Sequence, residues 1–250
     1  MGLTFGLGSG ATTLIAQYIG SKDKNSADSV ASHTVLVGIT LPILIITIVL
    51  WLGDDIISLQ LRKNSNLQTL QYANQYFNIM AFGSVFMIFA IFFRSILSGE
   101  GETLLPMRIL GMGTLINIIL DPILIIGFKL EVMGAAIATV ISNGLVAITF
   151  MYLLIIKQKS YIKINFNPST FKFDFKIIRK LFRLGIPASL SFAIMSIGMF
   201  ANNSILSLAD QSIHSQAISG GVIGGYQTAS RLEHLFMIPI IALSSSLVTM

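Results

Sequence analysis

Apolar runs of membrane-spanning length fill most of the chain, and short polar stretches separate them. A helix crossing the hydrocarbon core needs about 20 predominantly apolar residues. That template predicts seven spans: Leu3–Gly20, Ser32–Gly53, Gln71–Leu97, Leu104–Phe128, Val132–Ile156, Leu184–Leu208 and Gly224–Met250. The first is short, contains Gly6, Gly8 and Gly10, and begins almost at Met1; the last runs to the final residue. Both ends look cut, as in a fragment of a longer protein or a truncated gene product. The expected fold class is an all-α polytopic membrane bundle.

Charges between the runs set an orientation. Alternate connections share a side, and one set holds Lys22, Lys24, Arg94, Arg108, Lys157, Lys159, Lys163, Lys172, Lys176, Arg179, Lys180 and Arg183. The other set holds only Arg62, Lys63 and Lys129. Excess Lys and Arg mark cytoplasmic loops, so the first set is expected inside the cell. One missed span would scramble this asymmetry.

Composition narrows the class further. Of 250 residues, 54% are hydrophobic and 11% charged, against about 25% charged in soluble domains. The net charge of +5 sits between apolar runs rather than on one basic face, which speaks against a nucleic-acid partner. Cysteine is absent, which excludes disulfides and cysteine metal sites. The first residues lack a basic n-region, so the first run reads as a span rather than a cleavable signal.

The connector from Lys157 to Arg183 divides the chain into residues 1–156, with five spans, and 184–250, with two. It contains the turn-rich patch Asn165-Phe-Asn167-Pro168-Ser169. From Phe171 to Arg183, Phe175, Ile178, Leu181 and Phe182 fall at helical spacing with cations on the other flank. That pattern predicts an amphipathic helix lying in the cytoplasmic interface. A faint repeat pairs Phe5–Leu14 with Ile241–Met250, both small and hydroxyl-rich. It implies six plus six helices in a longer protein; close packing of small residues explains it equally.

The most anomalous stretch is Asn117-Ile-Ile-Leu-Asp121-Pro122, inside the fourth apolar run. A carboxylic acid near mid-helix costs roughly 2.5–3.5 kcal/mol on insertion scales, and such residues face a protein interior or a watery cavity. Asn117 lies four residues before Asp121, on the same helical face. Pro122 has no N–H, which leaves the Ile118 carbonyl without its helical donor. A carboxylate, an amide and a freed carbonyl there fit a proton or small-cation site. The alternative is that Asp121 ends a shorter span and meets water.

Other polar residues carry two readings each. Thr139, in the small-residue run Gly134-Ala-Ala-Ile-Ala138-Thr139, is a candidate ligand or a packing residue. Tyr76, one turn after Tyr72, is a cavity residue or part of an aromatic belt. Arg231, Glu233 and His234 form an unusual polar cluster in the last span; Arg231 and Glu233, two residues apart, do not face each other on a helix. Gly6-Leu-Gly8-Ser-Gly10 lacks the preceding strand and the Lys-Ser/Thr of a nucleotide loop. No zincin, serine-hydrolase or histidine-cluster motif is present, so no enzymatic activity is expected.

Six stretches together resemble the multidrug and toxic compound extrusion (MATE) family, most closely its DinF-type branch. They are Gly6-Leu-Gly-Ser-Gly-Ala11 leading to Ala16-Gln17-Tyr-Ile-Gly20, Arg94-Ser-Ile-Leu-Ser-Gly99-Glu-Gly101-Glu-Thr103, Asn117–Pro122, Gly134–Thr139, Leu184-Gly-Ile-Pro187-Ala188 and Tyr226-Gln-Thr-Ala-Ser-Arg231. The resemblance implies two lobes of six helices joined by a cytoplasmic connector, with this chain covering helices 2 to 8. It implies that Asn117, Asp121 and Thr139 form the cation site of the first lobe, for H⁺ or Na⁺, with Tyr76 in the same cavity. The family's other essential Asp lies on helix 1 and has no counterpart here. The implied function is antiport of amphipathic or cationic compounds across the cell membrane by a protein monomeric at full length and without a cofactor. The alternatives are a flippase for lipids or lipid-linked saccharides of the same superfamily, a seven-helix receptor, and an inactive truncated product. A retinal protein would need a Lys in a late span, and the last two predicted spans contain none.

Overall fold

The computed structural model describes residues 2–60, 67–157, 160–164, 173–212 and 221–249. The turn-rich patch at 165–169 and the cations Arg62, Lys63, Lys159 and Lys172 lie outside the described residues. Among the described residues the regular structure is entirely helical: α1 (Gly2–Gly20), α2 (Lys24–Gln60), α3 (Leu67–Gly99), α4 (Leu104–Pro122), α5 (Glu131–Met151), α6 (Phe175–Ser212) and α7 (Gly221–Thr249). Single π-helical turns extend α4 over Ile123–Gly127 and α5 over Tyr152–Ile156. Segments within α2 to α6 are long and apolar enough to cross a membrane: Lys24–Val49, Gln71–Gly99, Leu104–Gly127, Glu131–Ile156 and Phe175–Leu206. The expected all-α multi-pass class holds, and α1, the marginal run, is a 19-residue helix.

Two helix starts differ most from the hydropathy reading. α2 starts at Lys24, eight residues before the apolar run, because Asp23 caps it by accepting the Ser26 N–H at 3.1 Å. Ala27, Val30 and Ala31 are then fully buried on its inner face, which holds the polar turn helical. α6 likewise runs unbroken from Phe175. The amphipathic segment is therefore the first turns of a spanning helix, not a separate helix lying in the interface. Leu181 is fully buried in that stretch while Phe175 and Lys176 are exposed.

Small residues set the tightest contact. α1 and α6 run antiparallel, and a Cβ on Gly6 would stand 2.5 Å from the Ser189 backbone N and 2.6 Å from the Gly185 O. A Cβ on Gly10 would stand 2.9 Å from the Gly185 N and the Leu181 O. Close backbone approach through small residues four apart is the usual way helices associate in lipid. Elsewhere larger side chains fill the bundle. Phe93, Ile96, Phe150 and Ile15 form one buried cluster, and Leu7, Ile88, Phe92 and Leu181 another.

Polar side chains of the first helices hold the connector to the bundle. Glu100 Oε2 accepts the Ser160 O–H at 2.6 Å and the Ile162 N–H at 3.1 Å. Asp28 Oδ1 accepts the Lys163 N–H at 2.9 Å. His33, fully buried, places Nδ1 2.7 Å from the Ser29 carbonyl and accepts the Asp174 N–H on Nε2 at 2.9 Å. A carbonyl on one side and an amide donor on the other fix the neutral tautomer with hydrogen on Nδ1. Burial of Glu100 pushes its carboxyl above the ordinary glutamate value, more than its hydrogen bonds lower it.

Candidate functional site

α4 and α5 pack antiparallel, and a cavity of about 180 Å³ lies between them. Leu110, Gly113, Thr114 and Asn117 line it from α4; Thr139, Ser142, Asn143 and Val146 line it from α5. Each set has the same spacing of three, one and three residues, which is one face of a helix. The helices can approach this closely because Gly113 has no Cβ where the Val146 Cγ2 sits; an added Cβ would meet it at 2.2 Å. Outward of the cavity, a Cβ on Gly134 would stand 2.9 Å from the Leu124 carbonyl carbon. The π-helical turn therefore lies directly on the start of α5.

The hydroxyls in this cavity have their protons committed elsewhere. Thr139 Oγ1 donates to the Ala135 carbonyl at 2.9 Å and Ser142 Oγ to the Ala138 carbonyl at 2.8 Å. Thr114 Oγ1 donates to the Leu110 carbonyl at 3.0 Å, and the Asn143 Nδ2 to the Thr139 carbonyl at 2.9 Å. A hydroxyl that donates back to its own helix retains oxygen lone pairs for a ligand. The lining is thus rich in oxygen acceptors of the kind that suit a hard cation.

Asn117 and Asp121 supply the unsatisfied groups. Asn117 Nδ2 and Asp121 Oδ1 are both buried and have no hydrogen-bond partner among the described residues. Leaving one buried polar group unpaired costs about 1–3 kcal/mol, more when it is charged, so two on adjacent turns of one face are costly. Asp121 is not part of the cavity lining itself; it continues the same α4 face one turn beyond Asn117, toward the end of α4. The antiparallel register set by Gly113 with Val146 and Leu124 with Gly134 places Asp121 level with Ile137 and Ala138, within a turn of Thr139.

Pro122 does not break the helical path. It keeps helical dihedrals (φ −64°, ψ −32°), and the Ile123 N–H turns to the Leu120 carbonyl before the π-helical turn begins. The span accordingly continues to Gly127, six residues past Asp121, a rise of about 9 Å. Ile123 and Ile126 keep that stretch apolar and exposed.

The remaining predicted residues stand apart from the cavity. Tyr76, on α3, is 39% exposed and outside its lining. α3 and α5 run parallel, with Gly83 against Val140, so Tyr76 lies about 9 Å from the Thr139 level, toward the start of α3, at 1.5 Å per residue. Arg231 and Glu233 are exposed on α7, and no ion pair joins them among the described residues. No group of three or more His, Cys, Asp or Glu able to hold a metal is present among the described residues. Thr114, Ser142 and Asn143 were not singled out from sequence, although their helical spacing to Asn117 and Thr139 is visible there.

Known proteins share this sequence and arrangement. The MatE family profile matches residues 1–123. The multidrug export protein MepA of Staphylococcus aureus is 30% identical over 220 residues, 88% of this chain and 48% of the relative. MepA of Staphylococcus haemolyticus is 30% identical over 219 residues, 87% and 47% of the two chains. A MOP superfamily transporter from Pyrococcus furiosus superposes with a TM-score of 0.85 at 29% identity, covering 98% of this chain and 51% of the other. An inward-facing multidrug resistance MATE transporter superposes with a TM-score of 0.83 at 28% identity, covering 98% and 53%. This chain therefore spans about half the length of the relatives it matches. The order of its helices, its family profile and its structural neighbours agree: the chain belongs to the MATE family.

Proposed function

We propose that this chain carries the ion-coupling site of a secondary multidrug efflux transporter of the DinF-type branch. A proton or Na⁺ arriving from outside engages Asp121, with Asn117 and Thr139 as neighbours and Ser142 and Asn143 completing the oxygen-rich cavity. The observation that carries this reading is the pair of buried, unpartnered atoms, Asn117 Nδ2 and Asp121 Oδ1, on one face of α4. A cation or proton satisfies the carboxylate, and the resulting gain differs between states in which the cavity is open or closed. That difference is what drives alternating access.

On this reading the substrates are amphipathic or cationic compounds, exported across the cell membrane, with the cation-rich connector on the cytoplasmic side. The multidrug export activity named for the MepA relatives supports efflux. Tyr76 sits at the outer approach to the site. Reconstitution in vesicles, with H⁺ and Na⁺ gradients imposed separately, tests the proposal. Drug movement should follow one of the gradients and stop in Asp121→Asn while membrane insertion is retained. Undiminished coupled transport in that variant refutes the site. Gradient-independent movement of a lipid in place of a drug refutes drug antiport and favours the flippase alternative.

A further inference from the structure

A second cavity, of about 520 Å³, opens where the end of α1 meets the first turns of α6. Leu14, Gln17 and Tyr18 line it from α1; Lys180, Arg183 and Leu184 line it from α6. We propose that it binds the headgroup of an anionic phospholipid in the cytoplasmic leaflet. The assignment of the leaflet rests on the orientation proposed above; the headgroup chemistry rests on the cavity alone.

The cations there are placed rather than merely abundant. The Lys180 ammonium donates to Tyr18 Oη at 3.0 Å and lies 5.7 Å from that ring's centroid. An ammonium has three N–H donors, so others remain for a ligand after Tyr18 is served. Arg183 follows three residues later on the same helical face, and its planar fork matches phosphate oxygens two at a time. Gln17 adds an amide at the rim. No carboxylate lines this cavity. Asp174 lines a neighbouring cavity that shares Tyr18 and Lys180 with this one, and its carboxylate attracts Lys180; its Oδ1 also accepts the Lys176 N–H at 2.8 Å, and Arg183 lies outside that neighbouring cavity.

Hydrocarbon is accommodated as directly as the headgroup. Leu14 and Leu184 form the apolar part of the lining. Beyond Arg183 the same face of α6 continues as Ile186, Leu190, Ile194 and Ile197, all exposed, at helical spacing. A cationic stretch that changes to an apolar stripe within one turn is complementary to a molecule with an anionic head and an apolar tail. A free phosphate uses only the first half of that match.

Native mass spectrometry of the purified chain with equimolar phosphatidylglycerol and phosphatidylcholine of identical acyl chains tests this. Phosphatidylglycerol should be retained about tenfold over phosphatidylcholine or more, since each basic residue near an anionic surface is worth about fivefold. The double variant Lys180→Gln/Arg183→Gln should lose that preference. Lys157→Gln/Lys163→Gln, which removes equal charge from the same connector, should keep it. Equal retention of both lipids by the wild-type chain overturns the proposal, and this arm needs no variant to fold. Equal loss in both double variants reduces the effect to general surface charge and also overturns it. Displacement of the lipid by millimolar inorganic phosphate would identify a free-phosphate site instead. Failure of ion-coupled transport leaves these outcomes unchanged, so the two proposals are separable.

Discussion

Replacing Gly6 by alanine would place a Cβ 2.0 Å from Ser189 Oγ, 2.5 Å from the Ser189 backbone N and 2.6 Å from the Gly185 O, where ordinary contact begins at 3.4 Å. The hydroxyl can rotate away, but the two backbone atoms cannot. Relief requires α1 and α6 to separate by about 1 Å over their crossing, and overpacking of that kind costs about 1–3 kcal/mol. The rigid backbone on the receiving side puts the expected cost at the upper end. Alanine also gains about 1 kcal/mol of helix propensity over glycine, which would mask part of the loss. Gly111, within α4, has nothing within 4 Å of an added Cβ and supplies the propensity term alone. The difference in unfolding free energy between Gly6→Ala and Gly111→Ala should therefore be about 3 kcal/mol. Equilibrium unfolding in mixed micelles, followed by circular dichroism, measures it. Equal stability of the two variants would refute the crossing as drawn.

Further outcomes follow from the connector and the cavity. Glu100 has a carboxyl raised by burial, so its contribution to stability is full below the unfolded value and is lost as pH rises through the folded one. Glu100→Gln should flatten the slope of melting temperature against pH from about the ordinary value of 4.5 upward, and an unchanged slope would contradict the burial. Thr139→Val keeps the shape of the side chain but removes one oxygen, and should weaken ion binding about two- to tenfold, the worth of one net hydrogen bond. Thr149→Val, on the same helix outside the cavity lining, should not. Gly134→Ala pushes the π-helical turn from α5 and should lower ion affinity together with thermal stability, both measurable on the purified chain.

Hydropathy found the five spans within α2 to α6 because lipid demands long apolar runs whose backbone bonds close internally; the first and last predicted runs form the helices α1 and α7 but are not among those five. It misplaced the starts of α2 and α6 for the same reason: a helix does not stop where polarity begins. Asp23 and the buried Ala27, Val30 and Ala31 carry α2 outward, and Leu181 packing against α1 does the same for α6. Asn117 and Asp121 were conspicuous as polar groups in an apolar run, and Thr139, ambiguous in its small-residue run, was favoured as a ligand by the resemblance. Ser142, Asn143 and Thr114 were not, since hydroxyls and amides on small-residue faces ordinarily serve packing. What distinguishes them is tertiary: two faces of equal spacing meet across one cavity. His33 was equally silent, because only the fold brings the Asp174 amide to its ring.

The central claim is that Asp121 and its neighbours on α4 and α5 hold the coupling ion. Binding of radiolabelled Na⁺ and uptake of protons, measured side by side on the purified chain and on Asp121→Asn, tests it most directly. The wild-type chain should bind one of the two ions saturably, with Asp121→Asn losing that binding and retaining its helical content. Saturable binding of unchanged affinity in Asp121→Asn would contradict the account.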